Sequence, residues 1–137
     1  MALICDTGPL YAAMDRADRE HEPCVRLLSS TKEEVIIPSP VLTELDWLAG
    51  QRLQPEPFLN LLADIEAGTI RIADLLPADY SRVRELVDRY RDLPLGFVDA
   101  AVLAVVERLR ETKLATLDRR HFVVVRPRHL PALRLLP

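Results

Sequence analysis

Four acidic residues stand where this chain is otherwise apolar. Asp6 closes the run Ala2 to Cys5 and is followed at once by Thr7, Gly8 and Pro9. Glu44 lies in VLTELDWL, shortly after the β-branched run EVIIP. Asp99 is alone among Phe97, Val98, Ala100, Ala101, Val102 and Leu103, and Asp118 follows KLAT in TLDRR. Carboxylates brought together repel one another and raise each other's pKa unless a cation neutralises them. Ligation by oxygen without sulfur suits Mg2+ or Mn2+. Such an ion polarises a phosphoryl oxygen, lowers the pKa of an attacking water and steadies a leaving oxygen. Four acids converging on one place would therefore equip a chain to hydrolyse a phosphodiester. Thr7 and Thr116 sit beside two of them, and their hydroxyls suit either a supporting role there or ordinary turn and strand positions.

Most other acids have simpler readings. Asp46 is two positions from Glu44 and points away from it on a helix. Asp15, Asp18, Glu20 and Glu22 fit a polar loop and a helix start, while Glu33, Glu34, Glu107 and Glu111 read as surface charge. By itself Asp99 reads as a helix cap; the company of the other three makes it a ligand candidate. His21, His121 and His129 fall in polar or basic surroundings and read as surface residues.

The elements that must position these acids follow from apolar spacing. ALIC reads as a first strand, Pro9 to Met14 as a helix, and Glu22 to Ser30 as a second helix. EVIIP is a strand closed by proline, and Ser39-Pro40 then opens a helix to about Gln51 with Val41, Leu45 and Leu48 on one face. Pro55 and Pro57 open another, ended by Gly68. Thr69 to Ile72 predicts a third strand. Pro77 to Tyr90 predicts an amphipathic helix with Tyr80, Val83, Leu86 and Val87 inward, and Phe97 to Leu109 an apolar one. KLAT predicts a fourth strand, and either FVVV (Phe122 to Val125) or the closing LRLL a fifth. Strands alternating with helices indicate a parallel α/β sheet covered on both faces. In such a sheet the binding crevice lies outside the carboxyl ends of the strands, where Asp6 and Asp118 fall.

Composition narrows the classes. The 137 residues fit one domain over 1–137, with 49% hydrophobic and 28% charged residues, as in ordinary globular proteins. No apolar stretch approaches the roughly 20 residues of a membrane span. The start, MALICD, lacks a basic n-region and a long apolar segment, so the expected location is the cytoplasm. Two cysteines without metal-site spacing read as reduced core residues. All 21 acids lie at or before Asp118 with 13 of the 18 basic residues, which leaves that stretch at −8. Beyond it come five arginines, Arg119 and Arg120 first, and no acid; such a tail either attracts a polyanion or merely balances charge.

Taken in order, DTGPL at Asp6, VLTELDWL around Glu44, LPLGFVDAAVLA around Asp99 and TLDRRHF around Asp118 resemble the PIN domain, and more narrowly the VapC-type toxins of bacterial toxin–antitoxin pairs. The resemblance covers nearly the whole chain. It implies a three-layer α/β/α sandwich around a central parallel sheet of four to five strands. It further implies that Asp6, Glu44 and Asp99 are the core acids of a Mg2+ or Mn2+ site, that Asp118 is a more variable fourth, and that Thr116 supports them. The implied activity is endonucleolytic cleavage of structured RNA, ribosomal or transfer, with Arg119 and Arg120 near the RNA backbone. The implied partners are a cognate VapB-type antitoxin, the RNA, and a second copy of the chain within a larger toxin–antitoxin assembly.

Two rival classes remain to be weighed. A haloacid-dehalogenase-like phosphatase also opens on a strand-end aspartate, but it needs a second one two residues later, where this chain has Gly8, and a lysine partner from a set limited to Lys32 and Lys113. A PIN-like fold kept only as a binding module is marked by loss of its acids, and all four are present here. A glycine-rich phosphate loop is absent.

Overall fold

The computed structural model describes residues 1–137. Its strands are β1 (Ala2–Cys5), β2 (Glu34–Pro38), β3 (Ile70–Ala73), β4 (Lys113–Ala115) and β5 (Arg134–Leu136). They form one sheet in the order β3-β2-β1-β4-β5, with every pairing parallel. The helices are α1 (Thr7–Met14), α2 (His21–Ser30), α3 (Ser39–Arg52), α4 (Glu56–Glu66), α5 (Pro77–Arg89), α6 (Phe97–Leu109) and α7 (Arg119–Val124). They flank the sheet, so the expected α/β sandwich with a parallel sheet is the architecture observed.

Parallel strands covered on both faces cannot alternate apolar with polar residues, and β1 is accordingly buried at all four positions. It lies at the centre, with β2 and β3 laid to one side and β4 and β5 to the other. The chain therefore reverses its direction of winding across β1 and β4, and the crevice at their carboxyl ends is the place where such sheets bind ligands. The ladder runs to its very end: the amide of Asp6 donates to the carbonyl of Ala115 at 2.9 Å, and that of Thr116 to the carbonyl of Leu136 at 2.9 Å. These bonds set Asp6 and Thr116 side by side.

Helix α6 is buried without interruption from Ala100 to Val106. Val102, Val105 and Val106 join the core that includes β1 and β4, while Ala100, Ala101, Leu103 and Ala104 pack with Val83 and Leu86 of α5. A helix apolar all round is one enclosed by neighbours on every side. The effect is to hold the first turn of α6, and Asp99 with it, rigidly against the sheet. Between α5 and α6 run two ion pairs that the sequence reading did not foresee. Arg82 pairs with Glu107 at 2.9 Å with both side chains nearly buried, and Arg108 pairs with Asp79 at 3.0 Å. Glu107 is therefore an interior partner and not surface charge. Asp79 also accepts from the Leu76 amide at 2.9 Å, closing the start of α5.

Three expectations need correction. FVVV is not a strand: Asp118 caps the short helix α7 by accepting from the His121 amide, and Phe122 and Val125 point inward while Val123 and Val124 are exposed. Of the two candidates for the fifth strand, LRLL is the one formed: it takes the edge of β4, in register Lys113 to Arg134. Tyr80 and Val87 of α5 were expected inward, yet both are exposed, because Val83 and Leu86 already fill the contact with α6. Ser39-Pro40 also suggests a serine N-cap, but Ser39 is already the first residue of α3 and makes no side-chain capping bond, the cap position falling to Pro38. Gly68 ends α4 at φ +80, a conformation that favours glycine.

Candidate functional site

Asp6 leaves β1 in extended conformation and caps α1. One carboxylate oxygen accepts from the Thr7 amide at 2.8 Å and the other from the Thr116 hydroxyl at 2.9 Å. The Thr116 oxygen in turn accepts from the Asp118 amide at 3.0 Å. One buried threonine thus ties the ends of the two central strands together and fixes the start of the loop that carries Asp118. Gly8 belongs to the same junction: a Cβ there would meet Leu117 Cβ at 3.2 Å, tighter than ordinary contact.

Asp99 occupies the first turn of α6, where backbone N–H groups favour negative charge. His121 lies three residues after Asp118 on the short helix α7. Its Nδ1 is 2.9 Å from an Asp99 carboxylate oxygen and 2.8 Å from one of Asp118. Both partners are acceptors, so Nδ1 is the donating N–H and holds the two acids toward one another. The ligand atoms of Asp99, Asp118 and His121 all lie within 4.8 Å of one another.

Burial pushes the carboxyl of Asp6 up to about 6 from an ordinary 3.8. The hydrogen bonds from Thr7 and Thr116 pull the other way without cancelling burial, and the charges of Asp99 and Glu44 add to the rise. Asp99 is raised as well, first by burial, then against the His121 bond by the charges of Asp118 and Glu44. Asp6 feels the charge of Asp99, and both feel that of Glu44, as acids do when they lie near one another. Glu44, exposed on α3, stands at the outer edge: its charge reaches both Asp6 and Asp99, and it is outside the tight group.

The residues fit a hard divalent cation. Anionic oxygens crowd together with their ionised forms disfavoured by burial and mutual repulsion, and a bound positive charge relieves both. Two buried polar atoms beside them, Thr7 Oγ1 and His121 Nε2, have no protein partner. Buried polar atoms without partners are rare and point to a bound group or water.

His121 corrects the sequence reading, which took it as a surface residue; it is 8% exposed. The signal was present as an aspartate–histidine pair at a spacing of three, visible only if TLDRRHF turns into a helix. Arg119 and Arg120 are both exposed at the start of α7. Arg119 donates to the carbonyl of Pro137 at 2.8 Å, and Arg120 makes no ion pair. No helix is long and apolar enough to cross a membrane.

Residues 3–126 match the family model of the PIN domain. Ribonuclease VapC26 of Mycobacterium tuberculosis is 30% identical over 125 residues, spanning 91% of this chain and 93% of that protein. Among solved structures, VapC20 of Mycobacterium tuberculosis, described as a toxin that cleaves the sarcin-ricin loop, superposes with a TM-score of 0.75 at 21% identity, covering 82% of this chain and 86% of that one. VapBC2 of Rickettsia felis, bound to a DNA fragment of its promoter, matches over 98% of this chain and 97% of its own with a TM-score of 0.67 at 20% identity. The two structural likenesses concern the fold.

Proposed function

The chain belongs to the PIN domain family, and from that premise we propose that it is a VapC-type toxin ribonuclease. In this reading residues 1–137 act as one PIN domain that cleaves structured RNA, ribosomal or transfer, with Mg2+ or Mn2+. The observation that carries it is the close grouping of Asp99, Asp118 and His121, with Asp6 at the end of β1 near enough to feel the charges of Asp99 and Glu44. A binding module has no need to bury carboxylates against one another. The 30% identical relative named a ribonuclease supports RNA as the substrate class.

Asp6, Asp99, Asp118 and Glu44 would hold the cation. Bound there, it supplies charge stabilisation to the phosphoryl oxygens and acidifies an attacking water. The protein's own groups do the positioning. Thr116 fixes Asp6 in one rotamer, and His121 orients Asp99 and Asp118 through one imidazole nitrogen. The Thr7 hydroxyl, buried and unpartnered beside Asp6, is available to support a group bound at that carboxylate. Arg119 and Arg120 contribute salt-dependent attraction for the RNA backbone. Attack by water leaves the 2′-hydroxyl unused, so the products carry a 3′-hydroxyl and a 5′-phosphate. A VapB-type antitoxin partner and a homodimer within a larger assembly are the corresponding proposals for its associations, the first supported by VapBC2 of Rickettsia felis among its structural likenesses.

The test is brief expression followed by sequencing of newly formed RNA 5′ ends, with Asp6→Asn as control. New 5′-phosphate ends at defined positions, absent in the variant, are expected. Cleavage that persists in Asp6→Asn, or in purified protein with EDTA, would sink the assignment.

A further inference from the structure

The chain has seven aromatic residues, and their distribution is uneven. Tyr11 and Phe122 are buried, and Phe58 and Tyr90 are half-buried. The remaining three, Trp47 at 65%, Tyr80 at 55% and Phe97 at 48% exposure, all line a single cleft of about 630 Å3. They reach it from three separate helices, α3, α5 and α6, so no local periodicity explains their meeting. Packing does not require them there either, since the core closes without them.

The cleft adjoins the acidic site. Glu44, three residues before Trp47 on α3 and hence on the same side of that helix, lines it. So does Val98, the residue before Asp99. The polar groups in its wall are the side chains of Ser39 and Thr43 and the Tyr80 phenol, together with the one carboxylate of Glu44; no cation lines it. A phosphate would find nothing to pair with there and one charge to repel it. A flat, uncharged heterocycle would find three aromatic side chains to pack with and hydroxyls for its edge. Single-stranded RNA is read in this way, by stacking unpaired bases on aromatic side chains.

From this geometry we infer that the Trp47–Tyr80–Phe97 cleft binds an unstacked nucleobase of the RNA next to the phosphate being cut. The inference rests on the ribonuclease reading and adds to it a feature of the substrate: a base turned out of its helix beside the scissile bond, as in a loop or bulge. It also explains how a site built of acids engages RNA, since the stacked base anchors the strand where phosphate contacts alone are weak.

Trp47 is the only tryptophan, so its fluorescence reports on the cleft without labelling. The Asp99→Asn protein, which should bind without cutting, is titrated in Mg2+ with a short single-stranded oligoribonucleotide and with its abasic counterpart of equal length and charge. Quenching by the first and not by the second is expected. In the otherwise unsubstituted enzyme, Trp47→Ala should lower kcat/KM on looped RNA about tenfold to hundredfold, with Trp47→Phe restoring most of it. The exposure of Trp47 keeps these changes outside the core. Equal response to both oligomers, or unchanged cleavage by Trp47→Ala while the parent enzyme cuts normally, overturns the cleft and leaves the ribonuclease reading standing. Base-dependent quenching in a parent protein that cuts no RNA supports the cleft and defeats that reading. Trp47→Ala that converts a dimer to a monomer in sedimentation, together with no effect of base on the Trp47 fluorescence of the Asp99→Asn protein, identifies the cleft as a contact between copies and overturns the inference.

Discussion

Asp6 shows how one side chain bears the tension of such a site. Its position is set by β1, its two oxygens are used by Thr7 and Thr116, and burial still leaves its carboxyl at about 6. A folded pKa above the unfolded one means that the native state binds the proton more tightly than the unfolded chain. Without metal, the contribution of Asp6 to stability is therefore fully present in acid and is lost as pH rises from about 4 to about 6, through the two pKa values. A rise from 3.8 to about 6 corresponds to a cost of up to about 3 kcal/mol once the group is ionised. Asp99, also raised, adds in the same direction. Thermal unfolding in EDTA should show the Tm of the parent protein declining across that window relative to Asp6→Asn. Asp6→Asn should flatten the decline and raise the metal-free Tm at neutral pH, while abolishing RNA cleavage. A variant that loses both stability and activity would mean that Asp6 is structural.

At the level of elements, α5 and α6 form the frame that holds Asp99, and their ion pairs are part of it. Arg82 and Glu107 are each almost fully enclosed, with side chains 8% and 9% exposed. Removing one partner leaves the other buried and uncompensated, a loss of about 3–5 kcal/mol, whereas apolar replacement of both is often close to neutral. Denaturant unfolding should thus find Arg82→Met strongly destabilised and Arg82→Met with Glu107→Leu restored to near the parent. Equal destabilisation in both would mean that the pair contributes beyond mutual compensation. These partners were not legible in the sequence, because Glu107 and Asp79 have the composition of surface charge and become interior only when two helices meet. The same holds for FVVV. Its β-branched residues predict a strand, but the Asp118 cap and the occupation of the β4 edge by β5 leave a helix as the outcome.

At the scale of the whole molecule, carboxylates from four distant segments are assembled at the reversal point of one sheet, and a divalent cation should bind the folded chain and not the unfolded one. Stability then rises with metal concentration by mass action, by about 2.7 kcal/mol at a hundredfold excess over Kd. Calorimetry with added Mg2+ should show Tm climbing in the parent protein and remaining flat when Asp6 and Asp99 are both replaced by Asn. An equal rise in both would place the ion elsewhere. The charge is unevenly distributed along the chain. Residues 1–118 carry −8, while Arg119 and Arg120 lie exposed next to Asp118.

The chain's own order of residues determined a good deal. Apolar runs and proline and glycine punctuation located nearly every strand and helix, and DTGPL, VLTELDWL, GFVDAA and TLDRRHF marked the four acids, because strand ends and helix starts leave local signatures. Only the tertiary structure decided what those acids meet. His121 looked like one basic-tail residue among several, and became the link between Asp99 and Asp118 when α7 folded over the site. Trp47, Tyr80 and Phe97 are far apart in sequence and share one cleft. Local pattern records how each segment folds against its immediate neighbours along the chain; which side chains converge depends on how distant segments pack, and that information is spread over the whole chain.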